Sequence, residues 1–238
     1  MSLRRVLCLT LSTVLLLAAG CFTIGPGDVD EIDPMPYEVL DGTVVVENGR
    51  LSITANDQSW ARGVLYFTEP ILFEQDQYTI EVEFDTPDIV KRDPGVDIRF
   101  TMYLAPIAPD ENKDGCWYNP EDGRVGGQWY TGEYLSVYLE IDSTNDKVLI
   151  QVWHKAENAQ PKGRMVAQRE MKLSTGFPAK MTVQFDNENF QMLFGSVAPC
   201  NEQHGAGVSD WEQFYIVLEV QNVNANLGTI NINSIEVE

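Results

Sequence analysis

The sequence predicts an all-β protein with antiparallel strands arranged as a sandwich or a barrel, and three observations lead to this prediction. From about residue 40 onward, short runs of alternating apolar and polar residues follow one another to the C-terminus. Turn-rich loops separate these runs, which is typical of antiparallel sheets. No segment has the apolar spacing of an amphipathic helix of three turns. At 238 residues the chain is expected to form a single domain.

Residues 1–20 have the layout of a secretory signal peptide, with two arginines before an apolar run that is too short to span a bilayer comfortably. The next segment, LAAGC at residues 17–21, resembles the lipobox of bacterial lipoproteins. That resemblance implies that Cys21 becomes the lipidated first residue of the mature chain. With Phe22 in place of aspartate after it, the sorting pattern of such proteins favours the outer membrane of a Gram-negative cell envelope. Ordinary secretion and an uncleaved anchor are the alternatives.

The chain is strongly acidic, with 16 Lys and Arg against 36 Asp and Glu and a net charge of −20. Removal of residues 1–20 takes away two arginines and no acidic residue, which leaves 14 basic and 36 acidic side chains and a net charge of −22. Such a surface repels nucleic acid and anionic headgroups, so we expect no nucleic-acid partner and membrane contact through the lipid anchor only. Residues 21–39, rich in proline, glycine and acids, are predicted to be a tether before the β domain at 40–238.

Several runs within that domain have the two-residue period of a half-buried strand. In YLSVYLEID, for example, Leu135, Val137, Leu139 and Ile141 are predicted to face the core. The other predicted strands are QYTIEVEF from residue 77, VDIRFTMYL from 96, KVLIQVWHK from 147, KMTVQF from 180, FQMLF from 190, FYIVLEV from 214 and GTININSIEVE from 228.

Three stretches, DGTVVVENGRLSITA from residue 41, AKMTVQFDNENFQMLFG from 179 and FYIVLEVQNVNANLGTININSIEVE from 214, resemble the concanavalin A-like lectin and glucanase family in strand order and turn placement. The hairpin in the second stretch is also similar to one near the end of laminin G-like domains. The resemblance implies an antiparallel two-sheet β-sandwich, a jelly roll, over roughly residues 40–238. A jelly roll of the carbohydrate-binding-module type would give nearly the same string.

An acidic segment, APDENKDGCWYNPEDG at residues 108–123, satisfies the calcium-loop spacing D-x-[DN]-x-[DN]-G-x5-E. Calcium takes six to eight oxygen ligands, and this spacing supplies them from side chains and one backbone carbonyl. The candidate ligands are Asp110, Asn112, Asp114, the carbonyl of Cys116, and Glu121, with Asp122 a rival for the last position. Prolines on both flanks argue against an EF-hand helix pair, so we expect a structural Ca²⁺ in a β-protein loop. The alternative is an acidic turn without an ion.

Two cysteines, Cys116 and Cys200, remain once Cys8 leaves with the signal peptide and Cys21 takes the lipid. In an oxidising compartment outside the cytoplasm they most simply form one disulfide. Two separate buried thiols are the alternative.

The strand YLSVYLEID presents Tyr134, Ser136, Tyr138, Glu140 and Asp142 on the face opposite its apolar one. Tyrosine rings with carboxylates suit sugars, which offer apolar ring faces and hydroxyl groups. Neighbouring strands could add Arg99, Tyr103, Gln151 and Trp153. We therefore predict ligand binding by Tyr134, Tyr138, Glu140, Arg99, Tyr103 and Trp153, the alternative being an ordinary solvated face.

The same strand contains E-I-D, which resembles the motif of laminarinase-like glycoside hydrolases. The resemblance implies a nucleophile at Glu140 and a helper at Asp142, but Asn145 stands where the acid/base glutamate should be. Retaining hydrolysis needs two carboxyl groups about 5–5.5 Å apart. An amide cannot donate and recover the proton, so no catalytic residue is predicted.

The expected function is therefore that of a lipid-anchored extracytoplasmic domain that binds a glycan or cell-surface polymer, with a structural calcium. A polysaccharide-degrading enzyme of the same fold, using Glu140 and Asp142, is the rival, and a purely structural or adhesive envelope protein is the third reading.

Overall fold

The computed structural model describes residues 22–23, 35–47, 49–55, 61–85, 97–109, 133–155, 164–195, 197–203, 210–223 and 228–238. These residues form sixteen strands and a short 3-10 helix, Leu173–Thr175. The strands are β1 (Phe22–Thr23), β2 (Tyr37–Asp41), β3 (Thr43–Glu47), β4 (Arg50–Thr54), β5 (Arg62–Phe67), β6 (Ile71–Leu72), β7 (Gln77–Phe84), β8 (Ile98–Ala105), β9 (Tyr134–Asp142), β10 (Lys147–Lys155), β11 (Arg164–Met171), β12 (Lys180–Asp186), β13 (Asn189–Phe194), β14 (Val197–Gln203), β15 (Gln213–Asn222) and β16 (Thr229–Val237).

Two antiparallel sheets contain these strands. The first sheet has the order β14-β13-β12-β7-β16-β4-β3, and β1 pairs with β16 beside it. The second sheet has the order β11-β10-β9-β8-β15-β5-β2, and β6 pairs with β15. The predicted all-β, two-sheet antiparallel sandwich is confirmed.

Alternation along the strands explains how the two sheets pack. In β7 the residues Tyr78, Ile80, Val82 and Phe84 are buried, while the polar residues between them are partly exposed. β5 differs, because all six of its residues, RGVLYF, are buried. Strands buried on both faces carry no two-residue period, so β5 was not among the predicted strands. β11 was also absent from the prediction, since it is a largely exposed edge strand with a polar sequence.

The core lies between the sheets and is tied together by aromatic contacts across them. Near one end, Tyr78 of β7 and Phe214 of β15 make an edge-to-face contact with ring centroids 5.3 Å apart. Further along, Phe84 of β7 meets Phe100 of β8 at 5.2 Å, also edge to face. Such pairs contribute about 0.5–1.5 kcal/mol beyond the area they bury.

The sandwich also includes residues before the predicted domain boundary at residue 40. Met35 is buried in the core, β2 begins at Tyr37, and Phe22–Thr23 pair with β16. Both ends of the segment predicted as a tether, 21–39, therefore contribute to the folded domain. Within the described ranges no helix has the length and apolarity needed to cross a membrane.

Candidate functional site

A polar row crosses four neighbouring strands of the second sheet on the face turned away from the first sheet, which we call the outer face. The antiparallel register places Arg62 of β5 opposite Gln221 of β15, Gln221 opposite Arg99 of β8, and Arg99 opposite Glu140 of β9. Side chains opposite one another in such a ladder have Cβ atoms about 4.5–5.5 Å apart. The row therefore brings residues from distant parts of the chain into contact.

Arg99, Tyr138 and Glu140 form a connected group on this face. Arg99 Nε lies 3.0 Å from Glu140 Oε2, and the Tyr138 hydroxyl donates to the same carboxylate oxygen. The Arg99 guanidinium also lies over the Tyr138 ring, 5.8 Å from its centroid. Burial raises the pKa of the Tyr138 hydroxyl, although the charge of Arg99 opposes this, so the phenol remains a hydrogen-bond donor at neutral pH. The side chains of Arg99 and Glu140 are 11% and 27% exposed, which leaves the carboxylate open to a ligand.

Trp153 lies on the same face, on the next strand. Its Nε1 donates to Gln151 Oε1 at 3.0 Å, and Gln151 Nε2 donates to Gln168 Oε1 at 2.8 Å. Gln151 pairs with Tyr138 across β9 and β10, and Trp153 pairs with the exposed Met165 of β11. The outer face thus presents a partly exposed indole beside a chain of carboxamides and the Arg99 group.

Tyr103 and Tyr134, also predicted to contact a ligand, are buried. Their rings meet edge to face at 5.4 Å, and the two residues are 3% and 0% exposed. The Tyr103 hydroxyl donates to Glu219 Oε2 at 3.4 Å. They belong to a second apolar cluster on the outer face, with Val64, Tyr66, Ala105 and Val217. In this arrangement they support the neighbouring side chains from within and offer little surface to a ligand.

Ser136 of β9 lies between Tyr103 of β8 and Trp153 of β10 in the strand register. Its hydroxyl is buried and has no hydrogen-bond partner among the described residues. Leaving a buried hydroxyl unpaired costs free energy.

Three further residues of the outer face were not predicted: Arg62, Glu219 and Gln221. Arg62 Nε lies 3.7 Å from Glu219 Oε1, and both side chains are almost fully buried. With its amide oxygen turned toward Arg62, Gln221 accepts from Nε and Nη2, each at 3.2 Å. Arg62 had no sequence signal, because β5 lacks alternation. A carboxylate inside the apolar run FYIVLEV was a usable signal for Glu219, since acidic residues are rarely buried without a partner.

Asp142 and Asn145 form a local turn where β9 ends. Asp142 accepts hydrogen bonds from the Asn145 backbone N at 2.9 Å and from Asn145 Nδ2 at 2.6 Å. Asp146 accepts from the backbone N and the hydroxyl of Ser174, each at 2.6 Å. These contacts explain EIDSTND as a strand end and a tight turn, with Asn145 and Asp146 both bound within the fold.

The first residue before β8, Asp97, faces two other carboxylates. Burial raises the pKa of Asp97, the negative charge of Asp142 raises it further, and Glu140 adds to this. The Ser143 backbone N, which donates to Asp97 at 3.1 Å, opposes the shift. A raised pKa in the folded state means that the folded protein holds this proton more tightly than the unfolded chain does. The ionised carboxyl therefore costs stability above its raised pKa, and the cost disappears below its ordinary value of 3.8.

Asp97→Asn is therefore expected to stabilise the protein slightly at pH 7, by up to about 0.5 kcal/mol because solvent screens this partly exposed site, and to have no effect near pH 3. Asparagine retains the oxygen that accepts from Ser143. Urea unfolding at both pH values would measure the change. Asp146→Asn is the matched control with the opposite sign, since hydrogen bonds from Ser174 lower the pKa of Asp146. Destabilisation by Asp97→Asn at pH 7 would contradict the assignment.

The remaining predicted residues fall outside what can be described. Asp110, Asn112, Asp114, Cys116 and Glu121 of the calcium loop and the lipidation site Cys21 lie outside the described residues. For Cys200 only the backbone is described, as part of β14, where it pairs with Met192. Among the residues that the structure does describe, no group of three or more His, Cys, Asp or Glu is arranged to hold a metal ion.

Solved structures with the same architecture were found, although no family model and no curated protein matches the sequence. The potassium-bound carbohydrate recognition domain of Emp46p has a TM-score of 0.60 and 11% identity, covering 91% of this chain and 95% of that one. A legume lectin-like domain from Entamoeba histolytica has a TM-score of 0.56 and 12% identity, covering 85% and 89%. The β-glucanase of Bacillus licheniformis has a TM-score of 0.50 and 11% identity, covering 92% and 98%.

The fold is the concanavalin A-like jelly roll. The family resemblance seen in the sequence is thereby confirmed at the level of the fold. In this jelly roll the outer face of β8, β9 and β10 carries the partly exposed residues Arg99, Tyr138, Glu140 and Trp153.

Proposed function

We propose that the outer face of β8, β9 and β10 binds a glycan. The observation that carries the proposal is the Arg99–Glu140–Tyr138 group, which lies beside the partly exposed Trp153 on one face of one sheet. A sugar ring can stack on an indole, and its hydroxyls can exchange hydrogen bonds with carboxylate and carboxamide groups. The likeness of the fold to carbohydrate recognition domains and a β-glucanase supports the same reading.

The two arginines of this face offer no uncompensated charge to an anionic glycan, which favours a neutral segment. Arg99 is paired with Glu140 and Arg62 with Glu219, so neither guanidinium is available as an uncompensated site for an anion. The chain as a whole has a net charge of −20, which repels anionic polymers.

We further propose that Cys21 is lipidated, so that the domain is displayed on the cell envelope, at the outer membrane in a Gram-negative cell. The segment LAAGC and the basic, apolar segment before it support this placement. We also propose that the acidic loop holds a structural Ca²⁺, because the spacing of its oxygen ligands fits calcium. The ligands would be the side chains of Asp110, Asn112, Asp114 and Glu121 and the backbone carbonyl of Cys116. The Emp46p domain, which has the same fold, has been solved in potassium-bound and metal-free forms.

Titration of neutral oligosaccharides into a lipid-free form of the protein tests the glycan proposal. Trp153→Ala is expected to weaken binding at least about tenfold, because the stacking surface is lost, whereas Trp153→Phe retains a ring and most of the affinity. Glu140→Gln is expected to weaken binding similarly, since it removes the charge that orders Arg99 and Tyr138. Repeating the titration with calcium, with a chelator and on Asp110→Ala with Asp114→Ala examines the metal proposal.

Binding that is unchanged in both Trp153→Ala and Glu140→Gln would contradict the assignment of this face. New reducing ends, lost in Glu140→Gln, would favour a polysaccharide-degrading enzyme. If the protein neither binds nor cleaves any glycan, a structural envelope protein would be favoured.

A further inference from the structure

The strand β1 joins the N-terminal end of the predicted mature chain directly to the sandwich. Phe22 pairs with Val237 and Thr23 with Glu236, in antiparallel register with β16. Phe22 is the residue that immediately follows Cys21. A lipid on Cys21 would therefore be carried by the residue next to the first sheet, about 3.8 Å from Phe22 between Cα atoms. A flexible tether of nineteen residues would instead have a root-mean-square end-to-end distance of about 25 Å.

The pairing places the anchor at one particular end of the first sheet. Val237 pairs with Ile80 of β7, and Ile80 pairs with Val183 of β12. One residue further out, the backbones of Glu238 and Thr79 exchange two hydrogen bonds of 2.8 and 2.9 Å. We call this the anchor end of the sandwich. An open hollow of about 150 Å³ also lies there, lined by Gln77, Gln184, Phe185, Asp186, Asn189, Phe190 and Gln191.

Contacts between the sheets show which end of the second sheet lies over the anchor end. Tyr78, close to the anchor end of β7, meets Phe214 at the start of β15. Phe84, six residues or about 20 Å further along β7, meets Phe100 of β8. In the second sheet, Phe100 is next to Arg99, and Arg99 pairs with Glu140. The Arg99–Glu140 group is therefore at the end of the sandwich remote from the anchor.

We propose that the lipid on Cys21 holds the sandwich upright by the anchor end, so that Arg99 and Glu140 lie at the end remote from the bilayer. This inference rests on lipidation of Cys21, which is part of the proposed function. The anchor end would contact the bilayer into which the acyl chains on Cys21 insert. The chain is acidic, so anionic headgroups do not attract it. The acyl chains and the short link through β1 are what hold the anchor end at the membrane. The orientation would present the glycan-binding face to polymers outside the membrane.

Depth-dependent quenching on vesicles tests the orientation. The full lipidated protein is reconstituted into vesicles of phosphatidylethanolamine and phosphatidylglycerol that contain a nitroxide-labelled lipid. A fluorophore is attached through a clickable amino acid, which leaves the cysteines untouched, either at Gln77 near the anchor end or at Thr144 in the exposed turn after β9. Quenching at Gln77 is expected to exceed quenching at Thr144 several-fold.

The matched control inserts about twenty Gly and Ser residues between Cys21 and Phe22, which keeps β1 in place but frees the anchor. This insertion is expected to bring quenching at the two positions close together. Equal quenching at Gln77 and Thr144 without the insertion would overturn the proposed orientation. Failure of the protein to remain on vesicles would instead overturn lipidation. So would a Cys21→Ser variant that stays on the vesicles as firmly as the unaltered protein. The glycan titrations use a lipid-free form, so their outcome is independent of both.

Discussion

Phe214→Ala is expected to lower the free energy of unfolding by about 3–5 kcal/mol, as for other large aromatic residues removed from a packed core. Phe214 is fully buried, and its ring meets Tyr78 and Phe185, each with centroids 5.3 Å away. Because these two partners belong to the first sheet and Phe214 to the second, the substitution opens a cavity between the sheets. Urea unfolding of the lipid-free protein, followed by circular dichroism, would measure the loss.

Leu72→Ala is the matched control. Leu72 pairs in register with Gln213, the residue before Phe214, but its side chain is 52% exposed. Its truncation is expected to change stability by about 0.5 kcal/mol or less. If Phe214→Ala does not fold, Phe214→Leu should still cost more than Leu72→Ala. Equal effects of the two truncations would contradict the packing of the sheets at this end.

Glu219→Gln is expected to cost about 3–5 kcal/mol, because it removes one partner of a buried ion pair. The side chains of Arg62 and Glu219 are 3% and 5% exposed, and the Tyr103 hydroxyl also donates to Glu219. Glutamine keeps the size of the side chain but takes away the negative charge that compensates the buried Arg62. The loss of stability should therefore come from charge and not from packing, and thermal or urea unfolding at pH 7 would measure it.

Two variants make this prediction specific. Glu170→Gln applies the same change to an ion pair at the surface, where Lys147 and Glu170 lie 2.7 Å apart and are 37% and 53% exposed. That pair is expected to contribute far less than the buried pair, because solvent screens its charges. Combining Arg62→Met with Glu219→Gln removes both buried charges and should recover at least half of the loss. An effect of Glu219→Gln as small as that of Glu170→Gln would show that the outer face does not depend on this pair.

The buried pair also matters for the proposed function. Glu219 lies opposite Thr101 in the register, and Thr101 lies opposite Tyr138. A buried charged layer therefore runs beside the partly exposed residues that we propose to contact a glycan. Groups held by buried neighbours lose little conformational freedom on binding a ligand, which favours affinity.

Local alternation in the sequence was enough to predict several elements of this protein. The bounds of β7, β9 and β10 coincide with the predicted runs, and Leu135, Val137, Leu139 and Ile141 are buried in the core as expected. The face shared by Tyr138 and Glu140 followed from the same period, because successive side chains of a strand point to opposite sides. Strand order and turn placement resemble those of the concanavalin A-like family, and this resemblance indicated the fold.

Tertiary pairing decided the rest. Whether Arg99, Glu140, Gln221 and Arg62 meet depends on the register of four strands that are far apart in the chain, which no local pattern encodes. The burial of Tyr103 and Tyr134 depends on what packs around them, since the alternation that places a tyrosine on a face cannot tell whether that face is covered. The position of Phe22 beside Val237 depends on the pairing of two strands that are far apart in the chain. Such contacts are set by the lowest free energy of the whole sandwich, and a period of two residues carries no information about them.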